Sequence, residues 1–138
     1  MTHICPCCSL GRTFAVFRAE SGDVGVLDAY CPHLGANLTV GGVVVGDDLV
    51  CPFHLWTFGT DGRVTKIPYL EKVPETAKAR SWPTSEYHGQ ICIYYDAEGR
   101  QPPYQLTRYQ EIDDGGLIFH GTHSQVINMV HFLCYSKL

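Results

Sequence analysis

Two short segments of this chain carry the residue types that hold metal. Cys31-Pro32-His33 and Cys51-Pro52-Phe53-His54 each offer one thiolate and one imidazole, and residues 34–50 separate them. These are the donor types that bind zinc and iron–sulfur centres. Each segment follows a run of strand-forming residues. Two tight ligand loops on neighbouring hairpins are therefore expected to face each other across a small inorganic core. A structural Cys₂His₂ zinc site uses the same donors. Zinc modules, however, usually space their ligands as C-x₂₋₄-C and H-x₃₋₅-H, not as alternating Cys–His pairs. The pattern favours an iron–sulfur centre over a zinc-bound or metal-free interaction module.

The pattern C-x-H…C-x-x-H at this separation resembles the Rieske [2Fe–2S] motif, in which two Cys hold one iron and two His the other. The resemblance assigns Cys31 and Cys51 to the inner iron and His33 and His54 to the outer one. Neutral imidazoles in place of two thiolates leave the cluster less negative and easier to reduce. Potentials then span roughly −150 to +300 mV, against about −400 mV for all-Cys plant-type clusters. High-potential Rieske proteins of respiratory complexes carry a further Cys in each loop and a Ser that bonds a cluster sulfur. At those positions this chain has Ala36, Phe53 and Leu55-Trp56. Fewer hydrogen bonds to the sulfurs mean less stabilisation of the reduced state, so the resemblance is to the lower-potential oxygenase or ferredoxin class. Ile67-Pro68-Tyr69 matches the family's third, proline-bearing loop. The family usually has Gly directly after the second His, where it permits close backbone approach or a positive φ. Here that residue is Leu55.

Short strands must position these loops. Thr13–Ala19 and Val24–Tyr30 flank Ser21-Gly22-Asp23, a hairpin signal. Val43–Val45 and Leu49-Val50 flank Gly46-Asp47-Asp48, and Asp61-Gly62 separates Thr57-Phe58 from Val64–Ile67. Ala79–Trp82 and Ile91–Tyr95 add strand candidates, with His88-Gly89 as a turn. The best early helix candidate, Glu71–Ala79, is interrupted by Pro74. The expected fold is all-β: a Rieske-type antiparallel β-sandwich with a small cluster-binding subdomain of two ligand loops, plus an incomplete C-terminal extension. Residues 1–10, with Cys5, Cys7 and Cys8, read as a divergent, frayed segment without strand period. Residues 11–97 read as the Rieske domain, and 98–138 as a linker and the truncated start of a catalytic domain. Leu117–Phe119 and Val126–Tyr135 are late strand candidates.

A longer set of residues narrows the resemblance. Tyr30–Leu38 continuing to Gly41-Gly42, Lys66–Tyr69, Val73-Pro74 and Ala79–Trp82 resemble the cholesterol 7-desaturases of the Neverland type, as do Leu10-Gly11-Arg12 and Ala15–Arg18. The similarity runs over about residues 10–125 and is closest over 26–82. The resemblance implies a Rieske oxygenase that converts cholesterol to 7-dehydrocholesterol in steroid hormone synthesis. It would use O₂ and electrons from NAD(P)H through a reductase. The cluster would feed a mononuclear non-haem iron in a separate C-terminal domain of the full-length enzyme, where sterol binds. Full-length members are usually membrane-associated, and association with full-length oxygenase subunits is a further expectation. This chain is expected to lack the second iron site. Its late histidines, His120, His123 and His131, do not follow the family's triad spacing, and no Asp or Glu follows Asp114. No catalytic residue is assigned, and the chain alone is not expected to desaturate sterol. The first strand of a Rieske domain and any membrane anchor are also expected to be missing. A free-standing Rieske ferredoxin is the alternative reading.

Composition fits these readings. The chain has 138 residues, 14 acidic and 10 basic, for a formal charge of −4, which gives no support to a nucleic-acid partner. Hydrophobic residues make up 45%, enough for a core. No apolar run approaches the roughly 20 residues of a membrane helix, and the N-terminus lacks a signal-peptide pattern, so an intracellular setting is expected. Seven cysteines is an odd count that full internal disulfide pairing cannot satisfy. Cys92, in the alternating run Ile91–Tyr95, is expected to be a packed core thiol, and Cys134 part of an apolar strand.

Overall fold

The computed structural model describes residues 4–9, 11–87 and 89–117. Among these residues nine strands form two antiparallel sheets and a hairpin. Strands β1 (Ile4–Ser9), β2 (Arg12–Arg18) and β3 (Val24–Asp28) make the first sheet, with β2 central. Strands β4 (Val43–Val45), β5 (Asp48–Val50), β6 (Thr57–Phe58) and β7 (Val64–Lys66) make the second. Strands β8 (Thr84–Tyr87) and β9 (Gln90–Ile93) form the hairpin. One short helix, α1 (Gln110–Asp113), follows.

The first sheet is the middle layer. Ala15, Phe17 and Leu27 face the four-stranded sheet and pack in one core with Leu38, Leu49, Phe58, Val64, Ile67 and Ala79. Phe14, Val16 and Val26 face the opposite way and pack with Trp82, Ile91 and Ile93. Burial on both faces explains why Phe14 to Val16 to Phe17 reads as a continuous apolar run instead of an alternation. Gly25 is required by this packing: a Cβ there would meet the Phe17 ring.

The three hairpins expected from turn residues are present; β9 overlaps the expected strand Ile91–Tyr95, but its partner is Thr84–Tyr87, which is not among the strand candidates. Three details differ. Residues 4–9 are not frayed: β1 pairs with β2 from Ile4↔Phe17 to Ser9↔Arg12. Cys5 and Cys7 point inward against the Trp82 cluster and Cys8 points outward. A strand at the start of the domain is therefore present, made from a sequence whose alternation is carried by cysteines and a proline. Ala79–Trp82 is not a regular strand. It runs beside β3 through the bridge Leu27↔Ser81 and the bonds Asp28 N–H to Arg80 O (2.9 Å) and Trp82 N–H to Val26 O (3.0 Å). Residues 71–79 are not helical, in keeping with Pro74. Cys92 is half-buried, on the face of β9 opposite to Ile91 and Ile93, and lines a cavity of about 410 Å³ beneath residues 102–108. His88, the late strand candidates beyond Leu117, the late histidines and Cys134 lie outside the described residues. No helix of the described residues is long and apolar enough to cross a membrane.

Trp82 joins the middle sheet to the hairpin. Its ring meets Phe14 edge-on at 5.4 Å and stacks on Tyr95 at 5.4 Å, with the Arg80 guanidinium 4.1 Å above it. Its indole N–H donates to Asp28 at 2.8 Å, so its one polar group is satisfied where the rest is buried. Arg18 adds a two-pronged ion pair to Glu86, 2.8 Å for each prong, between β2 and β8. That pair is exposed and contributes little by itself. Trp82→Ala should destabilise the protein by about 3–5 kcal/mol, read by denaturant unfolding. Arg18→Ala should cost below about 1 kcal/mol in the same assay.

Candidate metal centre

The first ligand loop, residues 31–36, leaves β3 through Tyr30 and is closed by the bridge Tyr30↔Asn37. The second, residues 51–56, joins β5 to β6 and is closed by the pair Val50↔Thr57. The two loops have the same backbone closure. Cys31 N–H donates to Ala36 O at 2.8 Å and Gly35 N–H to Cys31 O at 2.8 Å. Cys51 N–H donates to Trp56 O at 2.8 Å and Leu55 N–H to Cys51 O at 3.2 Å. Cys opens each loop. His is third in the first loop and fourth in the second, so Phe53 occupies the place that His33 has in its own loop.

The fold brings together all four residues singled out from the sequence. Cys31 and Cys51 are buried together at the end of the larger core, near enough for Cys51 to add to the upward shift of the Cys31 thiol. His33 and His54 are half-buried, their rings 4.8 Å apart and inclined at 66°. This is a two-tier donor set, with soft, chargeable sulfurs inside and neutral-capable imidazoles outside. Among the described residues no three His, Cys, Asp or Glu side chains gather tightly enough to hold one ion. Two donors per tier suit a two-iron cluster, where inorganic sulfide completes each iron, better than a one-ion zinc cage.

Burial pushes the Cys31 thiol up to about 11 from an ordinary value near 9. The backbone N–H groups of His33 and Leu34 oppose this by favouring the thiolate, and the neighbouring Cys51 adds to the upward push. A metal centre must displace these protons, and the two N–H groups then face a sulfur that carries charge.

Two contacts escaped sequence reasoning. Trp56 lies parallel to His33, ring centroids 4.7 Å apart and planes 5° apart. Its indole N–H donates to the Tyr69 hydroxyl at 2.6 Å. Tyr69 comes from the proline-bearing third loop, and its ring lies 6.5 Å from that of His33. The only signal in the sequence was an aromatic residue two places after a ligand.

Leu55 has φ 58°, the only positive φ of a non-glycine residue among those described. Its counterpart in the first loop is Gly35, φ 73°. The loop geometry is therefore kept at Leu55, with a left-handed backbone that costs an L-residue roughly 1–2 kcal/mol. The side chain is 52% exposed and returns little of that cost through burial.

Leu55→Gly should stabilise the metal-free protein by about 1 kcal/mol, the strain relieved less the added chain entropy of glycine. The Cys31 shift sets a pH dependence. The folded state holds this proton more tightly than the unfolded chain, so the associated stability is complete below pH 9 and lost as pH rises toward about 11. Denaturant midpoints of the metal-free protein should fall across that window, and Cys31→Ser should flatten the fall.

Residues 6–80 match the Rieske [2Fe-2S] domain family. The cholesterol 7-desaturase of Xenopus laevis is 46% identical over 123 residues, which are 88% of this chain and 27% of that protein. The Drosophila melanogaster cholesterol 7-desaturase is 46% identical over 121 residues, 86% of this chain and 28% of that protein. The oxygenase component of a Rhodococcus rhodochrous 3-ketosteroid-9-alpha-monooxygenase is 43% identical over 99 residues, 72% and 26%. Among solved structures, dicamba monooxygenase with non-heme iron and dicamba is 27% identical with a TM-score of 0.63, covering 78% of this chain and 32% of that one. NdmA of Pseudomonas putida CBB5 with caffeine is 25% identical with a TM-score of 0.64, covering 75% and 30%. The chain spans about a quarter of the length of the curated relatives it matches. With a matching family segment that spans both ligand loops and an all-β fold shared with these oxygenases, the chain belongs to the Rieske [2Fe–2S] domain family.

Proposed function

We propose that this chain is the electron-transfer portion of a cholesterol 7-desaturase-like Rieske oxygenase. Cys31 and Cys51 hold the inner iron, and His33 and His54 the outer one. The observation that carries this reading is the pair of identically closed loops, which set two neighbouring buried cysteines and two adjacent imidazoles at one end of the fold. The bound cluster supplies one-electron redox chemistry. The protein's part is to bury the sulfurs, aim the His33 and Leu34 N–H groups at Cys31, and hold the imidazoles outermost, nearest a partner. Leu34, Phe53, Leu55 and Tyr69 are exposed beside the ligands and give that end an apolar rim, which suits docking to another protein surface. The donor is a reductase, and the acceptor is a mononuclear iron elsewhere in the full-length enzyme. A sterol is the substrate of that enzyme, by likeness to the desaturases and to the 3-ketosteroid monooxygenase. The stretch 98–138 reads as the link toward the catalytic domain. Its described part folds back on the β8–β9 hairpin through Tyr94 against Tyr104 and the Tyr87 hydroxyl donating to Thr107 O.

The purified protein should contain about two irons and two acid-labile sulfides, as a [2Fe–2S] cluster requires, and show the low-average-g EPR signal of mixed Cys/His ligation once reduced. Cys31→Ala and His54→Ala should each lose the cluster while the β-rich circular dichroism remains. His54→Cys, if it retains a cluster, should lower the midpoint potential by on the order of 100 mV or more. A colourless protein with stoichiometric zinc and no sulfide would sink the assignment.

A further inference from the structure

The two ligand loops share a backbone but not a sixth residue. Position six is Ala36 in the first loop and Trp56 in the second. Trp56 reaches across to the other loop's imidazole and lies flat on His33 at 4.7 Å. Its far edge is fixed in turn by the hydrogen bond to Tyr69 at 2.6 Å. His33 is therefore held by residues from all three loops at this end of the fold. Among the described residues, His54 meets His33 edge-on and otherwise has an aromatic contact only with its own neighbour, Phe53, at 3.9 Å and 42°. Phe53 is 62% exposed, and its phenyl ring has no polar group by which it could be anchored.

Imidazole is attached to the chain through a torsion with a broad, shallow profile. Once a ring nitrogen binds iron, the ring can still turn about that bond, and its plane sets how its orbitals meet the metal. Partners beyond the ligand shell normally fix such a plane by hydrogen bonding or packing. A parallel indole at van der Waals distance allows only one plane. We propose that Trp56, anchored by Tyr69, is a positioning residue that fixes the imidazole plane of His33, so that the two iron-bound histidines are inequivalent: His33 lies flat on an anchored ring, and His54 has only the exposed Phe53 ring of its own loop beside it. This rests on the ligand assignment proposed above.

The test uses Trp56→Leu, Trp56→Phe and Tyr69→Phe in the complete chain, with and without the cluster. In the metal-free protein the stacked indole should shift the His33 ring protons upfield in NMR spectra. That shift should be lost in Trp56→Leu, largely kept in Trp56→Phe and reduced in Tyr69→Phe. In the reduced cluster-bound protein, pulsed EPR should resolve two unlike histidine nitrogen couplings. Trp56→Leu should broaden the His33 coupling toward the spread of His54, and Trp56→Phe should restore it. Should Trp56→Leu fail to fold, Tyr69→Phe keeps every ring and still removes the anchor. Unchanged nitrogen couplings in Trp56→Leu and Tyr69→Phe, with only a lowered melting temperature, would mean that Trp56 is mere packing and would overturn the proposal. Absence of any Rieske EPR signal from the unmodified chain would overturn the ligand assignment and this proposal together. The metal-free NMR shifts would still report whether the stack exists, so the two failures are distinguishable.

Discussion

Everything at the functional end depends on burying two neighbouring cysteine side chains at the end of an apolar core. Thiolates repel each other and are poorly solvated there, which is why Cys31 holds its proton so firmly. The arrangement makes sense only with a cationic centre to share. The rest of the domain serves to hold the two sulfurs together against this tendency. Each loop is closed by two backbone hydrogen bonds at its own cysteine. Each is stemmed by strand pairing, and both sit on one cluster of Leu38, Leu49, Phe58 and Ile67. The backbone geometry of both loops therefore rests on the chain's own hydrogen bonds and core packing.

That rigidity is inherited from a middle sheet buried on both faces. Ala15, Phe17 and Leu27 support the loops, while Phe14, Val16 and Val26 rest on Trp82 and the β8–β9 hairpin. Trp82 thus lies one layer away from the ligand loops. It anchors the opposite face of the strands that carry them, and Asp28, its hydrogen-bond partner, lies only three residues before Cys31. Close-packed layers transmit strain, so a defect at Trp82 should be felt at the loops, without touching a ligand.

The sequence was most legible where local chemistry dictates structure. Gly22, Gly46 and Gly62 have positive φ in the turns where turn residues had placed hairpins. The four proposed ligands could be picked out in the sequence because two thiols and two imidazoles at such spacing have few other uses, and the fold brings their two loops together. The first strand was not. Ile4-Cys5-Pro6-Cys7-Cys8 lacks β-branched alternation, and its strand character comes from the partner β2 and from the Trp82 cluster beneath Cys5 and Cys7. Edge pairing of this kind overrides propensity. Ala79–Trp82 failed in the opposite sense: only Trp82 there is a β-former, its ring packs into the core, Pro83 follows, and the segment makes a single bridge. The Trp56–Tyr69 clasp was invisible because it joins two loops that only the fold brings near.

Leu55 and Trp56 show how a shared backbone can carry unequal loops. Gly35 and Leu55 take the same left-handed turn, so the second loop tolerates the strain that glycine spares the first. The restraint is the closure itself: the hydrogen bond from Leu55 N–H to Cys51 O holds that turn in place whatever the side chain. One place further on, the sixth position lies outside this closure's demands on φ, and only space decides its occupant. Ala36 fills it with a methyl group and Trp56 with an indole that crosses to the other loop. The one-residue offset between His33 and His54 already breaks the symmetry of the pair. The indole then adds its contact to one side only. The common fold thus fixes where the sulfurs are, while the side chains at loop positions three to six decide how each imidazole is held. Tuning of the centre is therefore written in four residues per loop and can vary among proteins that share all the rest.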